Sequence, residues 1–341
     1  MRVDKIPVTR PDGAARCQQI GSDMDVILHI GAHRCATTSF QNYLRANSDT
    51  LDQQGIGFWG PRRTRNGLLR GIVPKIGAGA WRDQQRRGVG RVRMNLARSS
   101  GLGVKSLVVT DENMLGSVRE NLRFCELYCG AGERMARYGE AFDGRIRHIL
   151  LNVRSLDTYW ASALGFSLTR GRNLPGHAAL VRLAASPRSW RDVITDVACA
   201  IPDATIWVAP FEVFAGRPEA QLSAVAGIKA PKAQARERLN ATLHLPALRA
   251  LGKELNENWD LPDGDGRWLP FAPDQTAALR ENYADDLLWL TGGADGLARL
   301  LPDPDKIPNP KTERAGTSLP TADMTRGRIH DRQERHMARA R

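Results

Sequence analysis

The chain has 341 residues, of which 42% are hydrophobic and 25% charged, and a formal net charge of +12. That is enough apolar material for one large or two modest globular domains; no apolar run approaches the ~18–20 residues of a membrane span, and residues 1–24 lack the apolar core of a secretory signal, so neither a spanning helix nor a leader is expected. Five scattered cysteines (Cys17, Cys35, Cys125, Cys129, Cys199) speak against a disulfide scaffold and for the reducing cytoplasm, and the surplus of cations predicts attraction to an anion: nucleic acid, an acidic glycan or a polyanionic nucleotide.

Residues 1–24 read as a flexible arm, with turn chemistry at Pro11-Asp12-Gly13. Val26 to Ile30 (VILHI) is a short apolar run rich in β-branched residues, a buried strand that Gly31 ends. A loop of small residues follows, and Thr37-Thr38-Ser39 opens a helix carried by Phe40, Tyr43 and Leu44. Leu51 to Trp59 ends a further helix and enters a short strand through Gly55. Residues 62–98 hold eleven Arg or Lys against one acid, Asp83, with glycines at 71, 77 and 79. A helix carrying Arg91, Arg93 and Arg98 is expected there, packing Val92, Met94 and Leu96 inward; it reads either as ordinary basic surface or as one wall of a cleft for an acidic ligand.

Lys105 to Thr110 is a buried strand running into Asp111-Glu112-Asn113. Residues 117–142 read as helical, which puts Cys125 and Cys129 on one helix face, with no second pair to complete a zinc site. Arg147 to Val153 is the next strand, followed by Arg154 and an amphipathic helix from about Asp157 to Leu168. Gly171 to Pro175 is loop, Ser186-Pro187 starts a helix, and Thr205 to Val208 is a fourth core strand closed by Pro210. Beyond about 217 the pattern is helical, with loop between Leu261 and Pro273 and a helix over 274–291 capped by Asp274. Residues 302–341 are polar and Pro-containing and end in an Arg/His run, a disordered tail. The body is therefore 25–301. Strands alternating with helices imply an α/β domain of three layers, a parallel sheet with helices on both faces, and in such sheets ligands sit beyond the carboxyl ends of the strands.

Strand, tight loop and helix start make an anion cradle. The N–H groups of the first helical turn point into the loop and the helix dipole adds positive charge there. Gly31, Ala32, Cys35 and Ala36 form the loop, Arg34 supplies a cation within it, and the hydroxyls of Thr37, Thr38 and Ser39 add donors. It is not the ordinary nucleotide-triphosphate loop, which needs Gly, four residues, then Gly-Lys-[Ser/Thr]; here Ala36 stands at the second glycine and Thr37 at the lysine. A second basic centre follows at Arg154, which leaves a strand end, with Ser162 eight residues later and about two helical turns along. Glu112, after a buried strand at the same sheet edge, is the candidate general base; His33 in the loop is the second candidate and Asp111 the third. His29 faces the sheet and reads as a satisfied core histidine.

The run His29-Ile30-Gly31-Ala32-His33-Arg34-Cys35-Ala36-Thr37-Thr38-Ser39-Phe40-Gln41 resembles the 5′-phosphosulfate loop of sulfotransferases that use 3′-phosphoadenosine 5′-phosphosulfate (PAPS). Bacterial and carbohydrate-type members read His-Ile-Gly-x-His-Lys-Thr-Gly-Thr-Thr-Ser-x-Gln; this chain departs with Arg34 for the lysine and Ala36 for the glycine. In that family an arginine at a strand end and a serine eight residues on grip the 3′-phosphate, the positions of Arg154 and Ser162 here, and Glu281 to Leu290 is similar to the closing helix. The resemblance spans roughly residues 25–300 and implies a P-loop sulfotransferase fold. It also implies PAPS as donor, adenosine 3′,5′-bisphosphate as product, no metal, and a hydroxyl or amine of an acceptor, carbohydrates included, as the target. Arg34 would be a clamp on the transferred group and Glu112 the base. Three readings compete with it. An inactive sulfotransferase-like protein is encouraged by Arg34 and Ala36. An ATP-using kinase lacks its lysine and a downstream magnesium aspartate. A nucleic-acid or polyanion binder is opposed by the lack of a recognised motif and of aromatics among the arginines.

Overall fold

The structure, a computed structural model, describes residues 24–74, 81–257 and 259–306. The arm up to residue 23, Gly77 and Gly79, and the tail beyond 306 lie outside the described residues. Met24, assigned to the arm by its sequence, is buried in the core.

Six strands form one sheet: β1 (Asp25–Gly31), β2 (Ile56–Trp59), β3 (Ser106–Thr110), β4 (Ile146–Val153), β5 (Thr205–Pro210) and the two-residue β6 (Arg299–Leu300). Their order is β2-β3-β1-β4-β5-β6 and every pairing is parallel. The central strands are apolar almost throughout because both faces are covered. Alternation along each strand divides the core in two. Val26, Leu28 and Ile30 of β1, with Ile149 and Leu151 of β4, pack in the larger cluster, with helices that include Ala131–Ala141, Leu156–Leu168 and Trp190–Ala200. Ile27, Val108 and Leu150 face the smaller cluster, under α1 (Thr37–Ala46) and the helix Pro218–Ala226. The molecule is thus α/β, a parallel sheet flanked by helices. No helix among the described residues is long and apolar enough to cross a membrane.

The chain leaves β1 toward the β3 side and leaves β4 toward the β5 side. The connections from these neighbouring strands therefore diverge beyond their carboxyl ends, which opens a crevice there.

The structure corrects several local expectations. In the helix Trp81–Gly101 the buried stripe is Gly88, Val92, Leu96 and Ser99, and Met94 is 69% exposed. Two residues from Val92 on a helix is about 200° around the axis, so Met94 cannot share its face. Residues 117–142 form two helices, Val118–Phe124 and Ala131–Ala141, since Cys125 (φ 55°) and Tyr128 (φ 43°) take left-handed conformations between them. Cys125 and Cys129 therefore share no helix face. The helix expected from Ser186 begins at Trp190, where Ser189 Oγ accepts from the Arg191 N–H and Asp192 Oδ2 from the Ser189 N–H. A helix at His177–Ala184 follows the expected loop at 171–175, in a stretch to which the sequence pattern assigns no element. Asp274 is in the first turn of Pro273–Thr291 and does not cap it; Gln275 Oε1 accepts from the Ala272 N–H instead. The expected helical run beyond 217 is broken: Pro218–Ala226 and Leu245–Glu254 are helices, and residues 227–244 between them are irregular.

Candidate functional site

β1 stops at Gly31 and α1 starts at Thr37, so residues 32–36 must turn the chain sharply. Gly31 (φ 105°), Arg34 (φ 61°) and Ala36 (φ 62°) all take positive φ to do so. Ala36 is the N-cap and brings no side-chain acceptor; the first intrahelical bond is Phe40 N–H to Ala36 O, 3.1 Å. The N–H groups of Thr37, Thr38 and Ser39 therefore have no acceptor within the helix. Two loop N–H groups are used by the protein: Ala32 donates to Asn152 O (2.9 Å) and His33 to the Tyr128 hydroxyl (3.0 Å). At Gly31 an added Cβ would stand 2.9 Å from the Glu112 Cβ. Gly31→Ala is thus expected to cost roughly 1–3 kcal/mol from backbone strain and collision together. Urea unfolding reads this directly, and a loss below about 0.5 kcal/mol, the scale of an ordinary surface change, would mean that the turn relaxes freely.

In front of the α1 N-terminus lies a cavity of about 310 Å³. Three parts of the chain wall it: Arg34 and Ala36 to Ser39 from the loop and α1; Arg154 and Ser162 from the end of β4 and the helix behind it; and the irregular segment, through Arg238, Asn240, Thr242 and His244. Arg267, Phe211 and Glu212 complete it. Ala32 and Cys35 are fully buried behind the wall. Burial pushes the Cys35 thiol up to about 12, which removes it as a nucleophile.

The two arginines expected from the sequence meet at this cavity. Arg34 Nε donates to Ser162 Oγ (3.0 Å), and its Nη2 to Asn240 O (3.1 Å) and Thr242 Oγ1 (3.2 Å). Arg154 is 5% exposed; its Nε donates to Thr158 Oγ1 (3.0 Å) and its Nη1 to Arg34 O (3.0 Å), with the guanidinium 4.3 Å above the Phe211 ring. Neither arginine has a carboxylate within ion-pair distance among the described residues. Burial, and then the charge of Arg154, lower Arg34 below the ordinary arginine value; burial is likewise the main cause for Arg154. Both remain cations. Glu212 and Asp157 act on Arg154 only from beyond ion-pair distance; buried charges so weakly compensated are costly, and an oxyanion in the cavity would relieve both.

The segment 238–244 is the part that sequence reasoning missed. Leu239 N–H donates to Ser39 Oγ (2.9 Å) and Asn240 Nδ2 to Thr38 Oγ1 (3.1 Å), so the expected ligand-binding hydroxyls also hold this strap. Thr242 Oγ1 and Ser162 Oγ are 2.7 Å apart. Pro231 and Asn240 within a supposed helix are the one signal that pointed away from it.

Glu112, His33 and Asp111 do not line the cavity. They form a second cluster beside it, joined to the loop through Gly31 and through Gln41 of α1. Glu112 Oε2 accepts from Gln41 Nε2 (2.8 Å) and its Oε1 pairs with Arg65 Nη2 (2.9 Å). Burial raises the Glu112 carboxyl, but the charge and hydrogen bond of Arg65, with its own backbone N–H and His33, outweigh that and hold it below the ordinary value. Asp111 is fully committed: Arg65 binds it through Nε and Nη2, Thr64 Oγ1 donates to Oδ2 (2.7 Å), and the Asn113 N–H to Oδ1 (3.1 Å). Its carboxylate has no open position for a substrate proton, so Asp111 is a structural cap. His33 Nδ1 bonds the Tyr128 hydroxyl (2.9 Å) and its Nε2 the Asn113 amide (3.1 Å), and burial lowers its pKa despite the neighbouring Glu112. His29 is buried between Thr110 Oγ1 (2.7 Å) and Asn152 Oδ1 (3.0 Å), lowered to about 4 by burial, and is a core histidine.

Compared with family models, with curated proteins and with solved structures, the chain gives no match.

Proposed function

We propose that this chain is a PAPS-dependent sulfotransferase with a P-loop fold, moving a sulfuryl group to a hydroxyl or amine of an acceptor, carbohydrates included. One observation carries the reading. Arg34 and Arg154, both largely buried and with no carboxylate within ion-pair distance among the described residues, converge with the α1 N-terminus on one cavity, whose lining holds a single carboxylate, Glu212. The free N–H groups suit one oxyanion and the Arg154–Ser162 pair a second. That matches a nucleotide charged at both its 5′ and 3′ positions better than a simple triphosphate. The loop resemblance to the sulfotransferases supports the same donor.

With PAPS bound, the acceptor oxygen attacks sulfur in line, the sulfur–oxygen bond to the 5′-phosphate breaks, and its electron pair leaves with adenosine 3′,5′-bisphosphate. The α1 N-terminus and Arg34 offset the charge that grows on the departing phosphate. Arg34 stays protonated and serves as a clamp. Glu112 takes the acceptor proton on a lone pair left open beside the bonds from Gln41 to one oxygen and Arg65 to the other.

Isothermal titration tests the donor. Adenosine 3′,5′-bisphosphate should bind about ten- to a hundred-fold more tightly than ADP, the worth of one charge-assisted contact. Arg154→Ala should narrow that gap. Equal affinity for the two nucleotides in the wild type would sink the proposal.

A further inference from the structure

Beyond β2 the chain makes a tight turn over 61–70 and packs it against the helix Trp81–Gly101. The packing is close: a Cβ at Gly71 would meet the Gln84 carbonyl at 2.7 Å, and one at Gly88 the Arg70 carbonyl at 2.9 Å. Between turn and helix lies a second concavity, of about 450 Å³, lined by Arg63, Asn66, Arg70, Arg91 and Asn95 among others. No carboxylate lines it. The single acid of this stretch, Asp83, is paired with Arg86 at 2.8 Å, and Arg93 is paired with Asp143 at 2.8 Å. Arg63, Arg70 and Arg91 have no carboxylate partner among the described residues.

Two of these guanidiniums are already fixed in place. Arg63 stacks 4.5 Å from the Trp59 ring centroid and donates through Nη2 to Asn95 Oδ1 (2.8 Å). Arg91 donates through Nε to Leu68 O (3.1 Å) and also to Arg70 O. The Arg70 side chain makes no hydrogen bond or ion pair among the described residues and is exposed. Held cations with a free one between them lose little entropy on meeting an anion. Burial, then the charge of Arg98, lower the Arg63 guanidinium, a cost that an outside anion beside it would offset.

The place of the groove gives it a role. Arg65 stands between Arg63 and Asn66 in the chain and pairs with Glu112, the candidate base. Consecutive residues are ~3.8 Å apart, so the groove lining begins within one or two residues of the arginine that holds Glu112. We propose that this groove holds an anionic group of the acceptor, and that the acceptor is an acidic carbohydrate chain bearing carboxylates or sulfates. The inference rests on the sulfotransferase reading above. A neutral alcohol would leave these arginines facing water. A single-stranded nucleic acid would need stacking surfaces, and the groove lining has none: Trp59 is 1% exposed beneath Arg63, and Trp81, 37% exposed beside Arg82 and Arg137, is not among the residues that line it.

The test is binding, so it needs no assay for turnover. The full chain is titrated with a glucuronate-containing oligosaccharide, with the same oligosaccharide after carboxyl reduction, with a single-stranded oligonucleotide and with adenosine 3′,5′-bisphosphate. The acidic sugar should bind at least ten-fold more tightly than its reduced form. The double variant Arg63→Gln/Arg70→Gln should lose about ten-fold or more of that affinity while keeping its affinity for the bisphosphate; Arg70→Gln alone, which breaks no internal bond, should lose part of it. Equal binding of acidic and reduced sugars, or an unaffected double variant, would overturn the inference while the nucleotide result leaves the donor reading standing. Preference for the oligonucleotide would overturn it in favour of a nucleic-acid partner. Failure of the bisphosphate to bind would overturn the donor reading, and the acceptor role with it.

Discussion

Asp111→Ala should cost about 3 kcal/mol or more of folding stability, the largest loss expected from any single change around the site. The Asp111 side chain is 5% exposed and satisfies a guanidinium, a hydroxyl and a backbone N–H at once. Removing it leaves the Asn113 N–H without its acceptor, the Thr64 hydroxyl with only the long bond to Pro61 O (3.4 Å) and Arg65 with Glu112 alone, and breaking a buried pair from one side typically costs about 3–5 kcal/mol. Arg65 is 43% exposed and can turn to water, which places the expected value at the low end of that range. The stranded Thr64 hydroxyl, by contrast, is buried. Asp111→Asn keeps an oxygen for the Asn113 N–H and the Thr64 hydroxyl and loses only the charge, so it should be the milder change. Urea unfolding of both variants decides it. A loss under about 1 kcal/mol for the alanine would show that the turn after β2 is held by its packing on the helix and not by this carboxylate.

Glu112→Gln should lower turnover by roughly a hundred-fold or more on the proposed reaction, the usual range for a lost general base. Donor affinity should survive, because Glu112 does not line the cavity. The pH dependence separates the candidates. Arg65 holds the Glu112 carboxyl below the ordinary glutamate value of 4.5 against the effect of burial, so a Glu112 base stays ionised down to that pH and gives a flat rate above it. Burial holds His33 below 6.5; were it the base, the acid limb would be that of a depressed imidazole and would survive in Glu112→Gln. The same depression has a stability consequence of fixed sign. The folded value lies below the unfolded one, so the stabilisation is present above the unfolded value and is lost as pH falls through the folded value. Full transfer activity in Glu112→Gln would make this residue a structural partner of Arg65 and nothing more.

The strand–loop–helix at residues 25–46 was legible because its signals are local. A β-branched apolar run, a glycine, and three hydroxyl residues before an apolar period specify backbone with no knowledge of the rest of the chain. Arg154 was legible as the residue at which a strand ends, and Ser162 through the resemblance, whose eight-residue spacing agrees with about two helical turns. The strap at 238–244 was not, since irregular backbone has no period and is held by side chains of α1, which lie far away in the sequence. The partner of Glu112 was hidden for the same reason. Arg65 follows β2, and only the β2-β3 pairing brings it beside the end of β3. Met94 was misplaced by counting apolar residues without their angles, and the cysteine pair by assuming that one helix ran where two are joined by left-handed residues.

The two faces of the sheet are unequally covered, and the cavity draws on the thinner one. α1, the helix Pro218–Ala226 and the segment that follows share the smaller apolar cluster. Much of that segment's attachment is through polar tethers: Tyr43 OH to Pro231 O (2.7 Å), Asn47 Nδ2 to Ala233 O (3.0 Å) and Asn42 Nδ2 to Glu237 Oε2 (2.7 Å). A layer with less buried apolar surface opens locally at lower free energy than the core beneath it. The wall contributed by Arg238 to His244 is therefore expected to open at a lower free energy than the thicker side, on which Arg154 and Ser162 stand. A ligand gripped from both sides would add its binding free energy to the weaker layer, so that occupancy of the cavity and cohesion of that layer rise and fall together.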